Sequence, residues 1–138
     1  MDKKQIVITG ASRGIGLEMA RILIAQGHSV YGAVRNPDGA TDLQAAGPAG
    51  ILKLDIGDME SINNFCNELA ETIDSLDILV NNAGKSMPIG ILEIKEEEWD
   101  RTLDINLKSC FNWIQAVAPF MIDSGEGRIV SMSSLNAH

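Results

Sequence analysis

No apolar run in this chain approaches the roughly 20 residues that a membrane-spanning helix needs, so the sequence offers no such span. The stretch between Met1-Asp2-Lys3-Lys4 and Gly10 is too short for the apolar region of a secretory signal. Both absences predict a cytoplasmic protein with no membrane partner. Cysteine is scarce: Cys66 and Cys110 stand alone without CxxC spacing, and they read as small apolar fillers of helices rather than a disulfide or metal framework. His28 and His138 are too scattered to form a metal-ligand cluster. Positive charge is also short, with 11 Lys and Arg against 19 Asp and Glu, for a net charge of −8. Most of that surface repels a phosphate backbone, which argues against a nucleic-acid partner. A small anionic ligand is not excluded, because its site is local. Repeats, low-complexity tracts and linkers are missing too. With 45% hydrophobic residues over 138, the chain reads as one domain spanning 1–138.

What the chain does have is alternation. Ile6-Val7-Ile8 reads as a short buried strand. A helix follows with Ile15, Met19, Ile22 and Leu23 on one face, stopped by Gly27. A second strand is expected at 29–34, a turn at Asn36-Pro37-Asp38-Gly39, a short helix at 41–46 and a third strand at 51–54. Asp58 is placed to cap a helix that carries Ile62, Phe65, Cys66, Leu69 and Ile73 on one face. A fourth strand at 76–80 and a long helix at 95–122 come next. Gly125 and Gly127 break that helix before a fifth strand at 128–132. Alternation of this kind, with continuously apolar strands, predicts an α/β fold, a doubly wound parallel sheet with helices on both faces. Ligands of such sheets bind beyond the C-terminal ends of the strands.

The polar motifs sit at those ends. Thr9-Gly10-Ala11-Ser12-Arg13-Gly14-Ile15-Gly16 joins the first strand to the first helix. Unpaired N–H groups at a helix start carry the positive end of the helix dipole and attract phosphate. Glycines let the backbone come close to the ligand. Asp55 and Ile56 follow the third strand, where Asp55 is either a turn residue or an acceptor for an adenine amino group. Asn81-Asn82-Ala83-Gly84 follows the fourth, as a structural turn or as site backbone. Asn106 shares the stripe of Trp99, Leu103 and Cys110 on the long helix, either as a buried amide that needs partners or at the stripe's margin facing solvent. Ser133-Ser134 close the fifth strand.

In order and spacing, these motifs resemble the short-chain dehydrogenase/reductase family over essentially the whole chain. The resemblance implies a Rossmann-type sheet of order 3-2-1-4-5 and a nicotinamide dinucleotide cofactor. By position, Thr9, Gly10, Ser12, Arg13, Gly14, Ile15 and Gly16 would form the pyrophosphate loop. Asp55 and Ile56 would flank the adenine, and Asn82, Ala83 and Gly84 would line the ribose and the core of the site. Asn106 would support a proton relay, and Ser134 would orient a substrate carbonyl or hydroxyl. Met87 and Pro88 are candidate substrate contacts. The family commonly assembles through the long helix, here containing Trp113 and Ile114, so a homo-oligomer is expected.

The sequence departs from the family at one point: it contains no Tyr-x-x-x-Lys, and its single tyrosine, Tyr31, lies in the second strand. The expectation is therefore an NADPH-dependent short-chain oxidoreductase acting on a small carbonyl or alcohol. The chain itself would be a cofactor-binding portion, incomplete at its C-terminal side and inactive alone. The alternative is a short, non-catalytic nucleotide-binding or interaction module. NADP(H) is preferred over NAD(H), which remains possible. The second strand ends in Val34-Arg35 rather than in the acidic residue that holds a ribose 2′-hydroxyl. Arg35 and Arg13 can instead pair with a 2′-phosphate.

Overall fold

The computed structural model describes residues 2–133. Strands β1 (Gln5–Thr9), β2 (Ser29–Val34), β3 (Gly50–Lys53), β4 (Ile78–Asn81) and β5 (Arg128–Ser131) alternate with helices. These are α1 (Gly14–Ala25), α2 (Thr41–Ala45), α3 (Met59–Thr72), α4 (Glu96–Leu103) and α5 (Ser109–Ser124). The sheet runs β3-β2-β1-β4-β5 and every pairing is parallel. This is the expected order, reversing beside β1.

Strand pleating sorts the core. Ile6 and Ile8 point to one face with Val30, Val34 and Val80, where they meet Leu17, Ala20 and Leu43 of α1 and α2. Val7, Tyr31 and Leu79 point to the other, against Ile62, Phe65 and Leu69 of α3 and Trp113 and Val117 of α5. Burial on both faces explains why these strands are apolar throughout rather than alternating. Trp113 meets Phe65 edge-on, with ring centroids 4.8 Å apart. The sheet's opposite, N-terminal end is tied by Asp77, whose carboxylate accepts the Gln5 N–H at 2.7 Å and pairs with Lys4 Nζ at 2.9 Å.

Element boundaries follow local chemistry. The Asp58 carboxylate accepts the Glu60 N–H at 3.0 Å, capping α3 as expected. Gly125 ends α5 at φ 79°, a conformation that favours glycine.

Two expectations need correction. The inward face of α1 is Gly16, Leu17 and Ala20, while Ile15 and Ile22 are 65% and 56% exposed. A Cβ on Gly16 would stand 2.5 Å from both Asn82 Nδ2 and Gly10 O. Only a glycine fits against the loop there, and turning that position inward rotates Ile15 and Ile22 outward. The long helix is also not uniform. A π-helical turn, Asp104–Lys108, separates α4 from α5. Such a turn inserts one extra residue, so the stripe facing the core shifts to Ser109, Trp113, Val117 and Met121. Trp99 and Leu103 are left largely exposed. Trp113 itself is 1% exposed and lies in the core, not on an assembly face.

Candidate functional site

The C-terminal ends of β1 to β4 open onto one cleft of about 620 Å³, a size typical of small-molecule and cofactor sites. Among the expected cofactor residues, Gly10, Ser12, Arg13, Gly14, Arg35, Asp55, Ile56, Asn82, Ala83 and Gly84 line it. Thr9, Ile15 and Gly16 do not.

The loop between β1 and α1 is built for close approach. Gly10 has φ 68°, and a Cβ there would come within 3.0 Å of Ala83 Cα. Its N–H donates to Ala33 O at 2.9 Å, which ties the loop to β2. Helix α1 starts after Arg13 with no side-chain cap and no acidic residue in its first turn. Its leading N–H groups therefore remain available to an anion.

Thr9 explains how two of the lining loops stay together. Its side chain is buried, and its hydroxyl accepts the N–H groups of Asn82 at 3.0 Å and Ala83 at 2.9 Å. The same hydroxyl donates to Val80 O at 3.4 Å. Asn82 reaches back, its Nδ2 donating to Thr9 O at 3.1 Å and Gly10 O at 3.3 Å. The loops after β1 and β4 are thus cross-tied behind the cleft wall. Thr9 supports the site without facing it.

Asp55 takes the turn role and also faces the cleft. Its Oδ1 accepts the Gly57 N–H at 3.0 Å. Asn106 lies in the π turn and is exposed rather than buried, because that turn rotates it off the core stripe. It finds partners nevertheless: Oδ1 accepts the Lys85 N–H at 2.7 Å and Nδ2 donates to Lys85 O at 2.8 Å. Met87 is held against α4, where Thr102 Oγ1 contacts its sulfur at 3.6 Å. Ser134 lies outside the described residues.

The lining also includes Val34, read from the sequence as the end of the second strand, and Ala33, Leu54, Lys85, Ser86 and Ile105, which motif reading missed. Leu54 follows β3 directly and was findable on that ground. Lys85 and Ser86 carry no pattern of their own; the signal lay in Asn106, whose partner they contain. The cleft holds three cations, Arg13, Arg35 and Lys85, against one carboxylate, Asp55. Among the described residues, none of the three cations is in an ion pair. The site is locally positive in an acidic protein.

The two cysteines are half-buried donors. Cys66 Sγ contacts Ala116 O at 3.8 Å, with burial pushing its thiol pKa up, and Cys110 Sγ contacts Asn106 O at 3.6 Å.

A parallel doubly wound sheet of order β3-β2-β1-β4-β5, with a glycine turn and an uncapped helix start at its switch point, defines an α/β fold of the Rossmann type. The match of residues 4–138 to the short chain dehydrogenase family model places the chain in that family. It is 34% identical over 138 residues to the 3-oxoacyl-[acyl-carrier-protein] reductase FabG of Staphylococcus aureus, covering 96% of this chain and 56% of that protein. It is 30% identical over 136 residues to an uncharacterized oxidoreductase of Staphylococcus epidermidis, covering 97% of this chain and 59% of that one. A short-chain dehydrogenase from Streptomyces avermitilis superposes with a TM-score of 0.89 at 30% identity, covering 96% of this chain and 50% of that one. The Pseudomonas aeruginosa RhlG/NADP active-site complex gives 0.85 at 29% identity, covering 95% and 54%. The chain thus spans little more than half the length of the curated relatives it matches.

Proposed function

We propose that this chain is the cofactor-binding portion of an NADPH-dependent oxidoreductase that moves a hydride between nicotinamide and a small carbonyl or alcohol. The observation that carries the reading is the pairing of Arg13 and Arg35 on one cleft, with Val34 where a 2′-hydroxyl acceptor would stand. Two guanidiniums suit a 2′-phosphate through charge-assisted, often bidentate bonds. The RhlG neighbour is an NADP complex, which supports the cofactor reading, and the FabG relative is a reductase, which supports the reaction class.

The cradle fits such a cofactor. Gly10, Gly14 and the start of α1 would hold the pyrophosphate, and Asp55 and Ile56 would flank the adenine. Asn82, Ala83 and Gly84 would line the path between. When bound, the nicotinamide supplies the hydride equivalent. In the reducing direction a C–H bond forms at the carbonyl carbon, the π pair moves onto oxygen, and that oxygen takes a proton. Ser134 would donate a hydrogen bond to the oxygen, and Asn106 would hold the segment beside it. The proton needs a stronger acid than a serine hydroxyl. The one tyrosine, Tyr31, cannot supply it, since it is packed in the core of β2. The 138-residue chain alone is therefore proposed to bind cofactor without turning it over. A homo-oligomer is also proposed, formed through the exposed apolar surface that Leu103, Leu107 and Phe111 present along the helix.

The test is NADPH oxidation across a panel of aldehydes, ketones and oxoacyl thioesters, by the complete gene product and by this chain. Activity only in the complete product is expected. Comparable turnover by the 138-residue chain would show the catalytic groups to be misassigned.

A further inference from the structure

Lys85 is a cation that the cofactor reading leaves without a task. The sheet order spreads the cleft along one edge, from Asp55 after β3, past Arg35 after β2 and the glycine loop after β1, to Lys85 after β4. Neighbouring strands lie about 4.8 Å apart, so the end of β4 lies about 10 Å beyond the end of β2 and about 14 Å beyond that of β3, and Lys85 follows β4 in the loop. Every anionic group of a dinucleotide is already provided for on the near side: the pyrophosphate by the loop and helix start, the 2′-phosphate by Arg13 and Arg35. Lys85 stands on the far side, where the reacting carbonyl would sit.

Its position is also fixed. Asn106 holds both its N–H and its carbonyl, at 2.7 and 2.8 Å, so the Lys85 Cα cannot drift although the side chain is exposed. A tethered root lowers the entropy cost of aiming a long side chain. No carboxylate pairs with it among the described residues, in a chain of net charge −8. Ser86, next to it in the lining, adds a hydroxyl.

We infer that Lys85 is a specificity-determining residue, selecting substrates that carry a carboxylate or phosphate close to the reacting carbonyl. This rests on the reductase reading above, whose cofactor occupies the near side of the cleft. Lys85 donates to the anion and fixes which end of the substrate faces the hydride; it takes no part in bond making.

The experiment uses the complete gene product and two matched pairs: acetoacetate with methyl acetoacetate, and dihydroxyacetone phosphate with dihydroxyacetone. Binding to the protein loaded with NADP+, which has no hydride to give, is followed by isothermal titration calorimetry, so the result does not depend on turnover. The expected result is a preference of about tenfold or more for the anionic member of at least one pair, as one charge-assisted bond supplies. The pair that shows it tells carboxylate from phosphate. Lys85→Gln brings the ratio close to one, Lys85→Arg restores most of it, and added salt weakens it. Equal binding within both pairs, or a preference that survives Lys85→Gln, overturns the inference while leaving the reductase reading intact. So does a Lys85→Gln defect confined to NADPH affinity, which would assign the lysine to the cofactor. If no nicotinamide nucleotide binds, the reductase reading itself fails and this inference fails with it.

Discussion

Asn106 is joined twice to Lys85 of the cleft lining, the amide oxygen taking the lysine N–H and the amide nitrogen giving to the lysine carbonyl. One side chain thereby satisfies both backbone groups of a residue in the irregular stretch after β4. The π turn makes this possible, because it directs Asn106 away from the core and toward that stretch.

Replacing Asn106 by Ala removes both bonds and frees the segment around Lys85. The Lys85 amide is then expected to exchange hydrogen about tenfold faster or more, as loss of a bond worth about 1–1.5 kcal/mol implies. Asn106→Asp keeps the acceptor but loses the donor, so it should protect that amide better than Ala does. Equal, unchanged exchange in both variants would show that the clamp does not order the loop.

Thr9→Val tests the cross-tie behind the site. The substitution preserves shape but strands the N–H groups of Asn82 and Ala83 beside an apolar methyl. A loss of about 2–3 kcal/mol of stability is expected in urea unfolding, since each stranded donor costs about 1–3 kcal/mol. Cofactor affinity should fall in the same variant, although Thr9 does not face the cleft. A change below about 0.5 kcal/mol, an ordinary surface effect, would contradict this role.

The Asp77 anchor makes stability sensitive to acid. Burial pushes the Asp77 carboxyl pKa up, but the Gln5 N–H, the Lys4 hydrogen bond and the charges of Lys4 and Arg128 outweigh it and hold the value below the usual carboxylate range. A lowered folded pKa contributes stability above the unfolded value of about 4, and that contribution disappears as pH falls through the folded value. Lys4 is shifted the other way, first by its bond to Asp77, so its share is lost only on the alkaline side. Melting curves at pH 6 and pH 3 should show a greater acid drop in the native sequence than in Asp77→Asn. Identical drops would remove Asp77 from the account.

Much of the architecture was legible in the sequence because it rests on local rules. Ile6-Val7-Ile8 could be read as a strand because burial on both faces demands an unbroken apolar run. Asp58 could be read as a cap because its carboxylate meets an N–H two residues on. The α1 face was misread because apolar spacing favoured Ile15 and Ile22, whereas contact between Gly16 and Asn82, 66 positions apart in the sequence, set the rotation. Asn106 was tied to the site by the family resemblance, but its bonds to Lys85 were not legible, because the π turn that exposes it leaves no apolar signature. Thr9 was grouped with the cradle by adjacency, but its bonds run to the β4 loop behind it. Lys85 was passed over because nothing in a single lysine marks it until Asn106 is seen to hold it.

The central claim is that the cleft selects a nicotinamide dinucleotide bearing a 2′-phosphate. Titration of NADPH and NADH against the complete gene product and its Arg35→Ala variant tests it most directly. The account predicts tighter binding of NADPH by about tenfold or more, the scale of a charge-assisted pair. Most of that margin should vanish in Arg35→Ala through weakened NADPH binding, with NADH affected far less. Equal affinities for the two cofactors in the unsubstituted protein would contradict it.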